Sequence, residues 1–217
     1  MTQKHNTLFL VLLCLWAGQA NAFTLLLAPA GHATDPGRQL HNACERALTY
    51  EWAKAIQTNL LQRHPGAQII ISRSPGETLL PLQIVSFANR LPADLIISFH
   101  LFKQEHEKPQ LYLYHHTYNP FLENCDLYQD PLAFIPLKKA HLGKKKLTLF
   151  WAKNLQNRLK STENSCFFDC AQTQGLPFKP FYGMLYPALA FELGISKDTQ
   201  WQDTVFAIIN ALEFLFF

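Results

Sequence analysis

Two of the nine histidines and two glutamates stand where a chain can keep reactive groups: His32 after a glycine, Glu45 at the start of an amphipathic run, and His100 and Glu192 at the ends of apolar runs. Two neutral imidazoles and one carboxylate make a three-ligand zinc site whose fourth position is open to water. A second carboxylate near that water can move protons. On this reading His32, Glu45 and His100 are candidate metal ligands and Glu192 is the candidate acid–base group. The chemistry would be metal-assisted hydrolysis.

Such a site needs elements that bring distant residues to one place. Residues 24–27 are a short apolar run ending at Pro29 and Gly31, which predicts a buried strand whose following loop presents His32. Leu48, Trp52, Ile56 and Leu60 recur at helical spacing and predict a helix with one inward face. Glu45 then falls in its first turn, where the helix dipole by itself also favours a carboxylate. Residues 67–72 read as a strand, 81–90 as a helix, 94–100 as a strand ending at His100, and 111–114 as a further strand. A helical pattern covers 147–159, a strand at 188–191 delivers Glu192 at its end, and a last helix covers 200–215. Apolar runs without clean alternation, separated by helices, predict a single α/β domain with a mixed, mostly parallel sheet covered by helices on both faces. No internal repeat is visible.

The order of the motifs adds to their types. Pro29-Ala30-Gly31-His32, the helix opened by Glu45, Ser72-Arg73 after the next strand, Ala88-Asn89 and Ala93-Asp94 ahead of Ile96-Ile97-Ser98-Phe99-His100, and Phe191-Glu192-Leu193-Gly194 follow one another along the chain. In this the chain resembles the zinc-dependent N-acetylmuramoyl-L-alanine amidases of bacterial cell walls, over residues 23–212 apart from a poorly matching stretch at 117–179. The resemblance implies one Zn2+ held by His32, Glu45 and His100, with Glu192 catalytic. It also implies peptidoglycan as partner and substrate, cleaved at the amide between the lactyl group of N-acetylmuramic acid and L-alanine, and an activator or division protein as a further candidate partner. The divergent 117–179 region would be an insertion or lid. The chain departs from the family pattern in two places. Asp-Pro-Gly-His-Gly is replaced by Pro29-Ala30-Gly31-His32-Ala33, which removes a carboxylate that often supports the first ligand, and the Ala-Asn after the second histidine is Leu101-Phe102. A degenerate fold that binds peptidoglycan or a division partner without cleaving it, and a zinc amidase acting on another peptide, are the two alternatives.

Composition agrees with one exported domain. At 217 residues and 48% hydrophobic content, the chain can bury a substantial core and has no disorder signature. Lys4 and His5 precede an apolar run at 8–16, and Ala20-Asn21-Ala22 then has the small-x-small pattern of a signal-peptidase site, so residues 1–22 read as a signal peptide and 23–217 as the catalytic domain. The apolar run is shorter than the roughly 20 residues that span a bilayer. The apolar C-terminus is interrupted by Asn210 and Glu213, so no stable membrane span is expected. These features predict a periplasmic or secreted protein.

After removal of the leader four cysteines remain, Cys44, Cys125, Cys166 and Cys170. In an oxidising compartment Cys125 could pair with Cys166 or Cys170; free buried thiols and a structural zinc are the rival readings. The charge of +3 is mild, and the lysines at 138–139 and 144–146 lack the interleaved aromatics of a nucleic-acid groove. His115 and His116, adjacent on a strand, point to opposite faces. His41, His64, His106 and His141 stand in polar or loop contexts and read as surface residues.

Overall fold

Three apolar strands with almost no exposed side chain form the middle of a sheet: β1 (Thr24–Pro29), β3 (Leu95–Lys103) and β7 (Ala188–Ile195). A computed structural model describes residues 23–118, 136–161 and 166–216. The remaining strands are β2 (Gln68–Ile71), β4 (Gln110–His116), β5 (Asp169–Cys170) and β6 (Gln174–Leu176). They form one seven-stranded mixed sheet in the order β2-β1-β3-β7-β4-β5, with β6 also pairing with β4. Strands β2, β1, β3 and β7 are parallel, whereas β4 runs antiparallel to β7.

Alternation along these strands sends odd and even positions to different layers. Odd positions such as Leu25, Leu27, Ile97, Phe99, Phe191 and Leu193 meet α1 (Glu45–Arg63), α3 (Lys145–Leu159) and α4 (Trp201–Leu212) in the larger core cluster. Trp52 packs edge-on against Phe99, with ring centroids 4.9 Å apart, and Phe99 packs in turn against Phe191 at 5.9 Å. Even positions Leu26, Ile96, Ala188 and Ala190 meet Val85 and Ala88 of α2 (Pro81–Arg90), together with Phe181 and Met184. Helix α2 has only 10 residues. Further along the strands, His100, Phe102, Tyr112, Tyr114 and Glu192 are only partly buried.

The expected elements are present, with instructive differences. Strand β7 continues past Glu192 to Ile195, so Glu192 lies inside the strand, in register with His100. Residues 193 and 195 are apolar and fully buried, and this is why pairing continues. The 117–179 region supplies α3 and the short strands β5 and β6, which sequence alone did not predict because two- and three-residue runs carry no periodicity. His141 is buried rather than on the surface: a 3₁₀ segment, Leu137–Lys144, sets its ring edge-on to the buried His116 at 4.5 Å. Residues 1–22 and Cys125 lie outside the described residues, so the leader and the bridges involving Cys125 stay as expectations. No described helix is long and apolar enough to cross a membrane.

Candidate active site

Chain direction decides where a site can form. From β1 the chain crosses to β2 on one side of it and then to β3 on the other, which opens a crevice beyond the carboxyl ends of β1 and β3. Open α/β sheets bind ligands at such a switch point. A cavity of about 210 Å³ lies there, lined among others by Pro29, His32, Ser98, His100 and Phe181.

The loop carrying His32 is held from beneath. Gly31 has φ +73°, and a Cβ there would stand 2.8 Å from the Cβ of Arg46, so only glycine lets the loop lie on the helix. Arg46 Nη1 donates to the carbonyls of His32 and Ala33, both at 3.2 Å. The buried Arg73 donates to the carbonyls of Pro29 at 3.3 Å and of Ala30 and Arg46 at 2.9 Å each. His32 itself is half-buried, with Nδ1 3.1 Å from the hydroxyl of Thr34.

Glu45 begins α1 without a side-chain cap on the helix. The carbonyls of Arg38 and Pro36 instead accept the N–H groups of Glu45 and Arg46, at 2.9 and 3.0 Å. Gly37, at φ +72°, lets this loop pass over the carboxylate, since a Cβ there would stand 2.8 Å from Oε2. The carboxylate is 4% exposed as a residue and accepts from the N–H of Leu101 through Oε1 at 3.1 Å and from the N–H of Arg38 through Oε2 at 3.0 Å. His100 Nδ1 is 3.3 Å from Oε1. Burial alone would push the Glu45 pKa up, but the bond and charge of His100 and the two backbone N–H groups outweigh it and lower the value. The other nitrogen of His100, Nε2, is 2.7 Å from Ser98 Oγ, and the ring stands edge-on to Phe178 at 4.9 Å.

Glu192 pairs across the sheet with His100 on one side and Tyr112 on the other. Arg38 Nη1 donates to its Oε1 at 2.6 Å, and the hydroxyl of Tyr114 bonds the same side chain. Burial first, and then the charge and hydrogen bond of Glu192, push the Tyr114 hydroxyl up to about 12.

The fit of this donor set to zinc can be judged by distance. Two ligands of one tetrahedral zinc, each at about 2.0–2.1 Å, stand about 3.3–3.4 Å apart. Glu45 Oε1 and His100 Nδ1 have that separation, and both side chains are largely withdrawn from solvent. His32 lines the same cavity as His100, yet no group of three metal-binding side chains is gathered among the described residues. The separation of Glu45 and His100 suits one zinc, and His32 is the further imidazole that lines the cavity. Arg38 and Tyr114 carry no sequence signal of their own, whereas Arg73 and Ser98 lie within the motifs quoted above. Among the described residues Cys44, beside Glu45, and Cys170 form no disulfide, and burial pushes the Cys170 thiol up to about 11.

No protein-family model matches the sequence, and no curated protein does. Solved structures do match. The catalytic domain of CwlV, an N-acetylmuramoyl-L-alanine amidase from Bacillus (Paenibacillus) polymyxa var. colistinus, is 14% identical with a TM-score of 0.62, covering 89% of this chain and 98% of that one. The amidase AmiC2 of Nostoc punctiforme is 15% identical at a TM-score of 0.61, covering 89% and 97%. The CwlD amidase of Clostridioides difficile, solved in complex with the GerS lipoprotein, is 13% identical at 0.60, covering 89% and 98%. At this level of identity the agreement is one of architecture along nearly the whole chain: the protein has the fold of the N-acetylmuramoyl-L-alanine amidases.

Proposed function

We propose that this protein is a zinc-dependent N-acetylmuramoyl-L-alanine amidase acting on peptidoglycan in wall remodelling or daughter-cell separation. The observation that carries the reading is the Glu45–His100 pair at the separation of two zinc ligands, with Glu192 in register beside it in an amidase fold. His32, Glu45 and His100 would hold the metal. When bound in such a site, zinc acidifies water to a pKa of about 7 and polarises a carbonyl.

The chain's own groups supply the rest. Ser98 holds Nε2 of His100, which leaves Nδ1 facing Glu45 Oε1. The N–H groups of Leu101 and Arg38 keep the Glu45 carboxylate ionised and fixed in direction. Glu192 takes a proton from the attacking water and delivers it to the leaving amide nitrogen. Arg38 and Tyr114 orient that carboxylate. The leader-like residues 1–22 support export to the compartment where peptidoglycan lies.

The test is mass spectrometry of peptidoglycan digested with the protein, beside a chelated sample and Glu192→Gln. Free stem peptides beginning with L-alanine are expected from the untreated protein alone. His100→Ala is expected to lose zinc and Glu192→Gln to keep it, measured by metal analysis. Pro29 and Ala33, where the family pattern has Asp and Gly around the first histidine, favour one second reading, a non-catalytic peptidoglycan binder. Wall binding without released peptides or bound zinc would establish it.

A further inference from the structure

Glu192 is paired with a guanidinium whose hydrogen-bonding capacity that contact uses only in part. Arg38 uses a single guanidinium nitrogen for its side-chain bonds: Nη1 donates to Glu192 Oε1 at 2.6 Å and to the carbonyl of Leu101 at 3.3 Å. Its Nε and Nη2 form no hydrogen bond among the described residues. The side chain is 51% exposed, against 20% for Glu192, so the guanidinium is accessible from solvent beside the carboxylate it pairs with. Phe102 lies beside the guanidinium, with its ring centroid 5.9 Å away. The backbone beneath is fixed, because the N–H of Arg38 is bonded to Glu45 and Gly37 takes a turn that only glycine adopts easily.

A guanidinium is a planar fork that can serve two anions at once, one on each edge, whereas an ammonium is a point charge. One edge here is spent on Glu192. The other is open and backed by an aromatic ring, the setting in which a carboxylate is bound through two parallel hydrogen bonds. We propose that Arg38 is a specificity-determining residue that binds a free carboxylate on the peptide side of the substrate, next to Glu192. The proposal deepens the amidase reading and rests on it for the identity of the scissile amide. It assigns the preferred substrate as an acyl amide whose leaving peptide is acidic rather than amidated.

Two measurements on the full protein separate the two ideas. The first is steady-state cleavage of two muramoyl peptides that differ only in a carboxylate or carboxamide on the second residue. Wild type is expected to favour the acidic form by about 10- to 100-fold in kcat/KM, the range for a charge-assisted bidentate pair, chiefly through KM. Arg38→Gln should lose that preference, and Arg38→Lys should recover only part of it. An equal loss on both substrates would reduce Arg38 to a structural role and overturn the proposal. The second is calorimetric binding of L-alanyl-D-glutamate and of its diamide, neither of which can turn over. Binding of the acid that is about 10- to 100-fold weaker in Arg38→Gln, with the diamide unaffected, supports the site even if no cleavage occurs, which would then count against the amidase reading alone. Equal binding of acid and diamide to wild type overturns the Arg38 proposal whatever the turnover.

Discussion

At the scale of single residues, the site depends on how each polar group is satisfied. Glu45 is nearly fully buried, yet its carboxyl is held below the usual value, because three donors face it from a loop, a strand and an imidazole. Tyr114 shows the opposite effect: a partly buried phenol beside a carboxylate keeps its proton to about 12. An unperturbed tyrosine titrates near about 10. Between these values the unfolded chain has lost a proton that the folded chain retains, so stability falls as pH rises from about 10 to about 12. Alkaline spectrophotometric titration should therefore show a late-ionising tyrosine that is lost in Tyr114→Phe and shifted toward about 10 in Glu192→Gln, which removes the facing charge. A tyrosine count unchanged in Tyr114→Phe would refute the assignment.

At the scale of elements, one loop and one helix start carry the arrangement. The loop after β1 is pinned by Arg73 from the end of β2 and by Arg46 from α1, so three elements converge on the carbonyls around His32. Arg73→Ala removes three charge-assisted bonds and empties the volume of a buried side chain, for an expected loss of about 2–4 kcal/mol in urea unfolding. Arg73→Lys should restore less than half, because one ammonium cannot reproduce the fork. Gly31→Ala must place a methyl against Arg46 at a positive φ and is expected to cost about 1–3 kcal/mol. If Gly31→Ala left stability unchanged, the loop would not need its left-handed turn. Helix α2 began where expected, with Pro81 at its first position and the Gln83 side chain accepting the Leu80 N–H at 2.8 Å. Strand lengths were less legible. The apolar pattern predicts a strand only over 188–191, yet pairing with β3 and β4 keeps the chain extended to Ile195.

At the scale of the whole molecule, the two layers divide the work. The larger core, centred on Trp52, Phe99 and Phe191, fixes the sheet against α1, α3 and α4. The smaller one under α2 ends short of His100 and Glu192, leaving them partly open on a rigid base. Trp52 is fully buried, and Trp52→Ala should cost about 3–5 kcal/mol by denaturant unfolding while leaving the α2 layer's contacts in place. Periodicity and residue type, which are local properties of the chain, were enough to determine the α/β class and the principal strands and helices, while His32, Glu45, His100 and Glu192 became candidates through the order of their motifs and the family resemblance it carries. Only tertiary structure decided which strands are neighbours, and hence that His100 and Glu192 share a register and one face of the sheet. It also decided that Arg38, 154 positions from Glu192, is its ion partner, and that His141 is buried against His116. Sheet order and ion pairing are set by contacts between residues far apart in the chain, and no local pattern of apolar and polar positions encodes them.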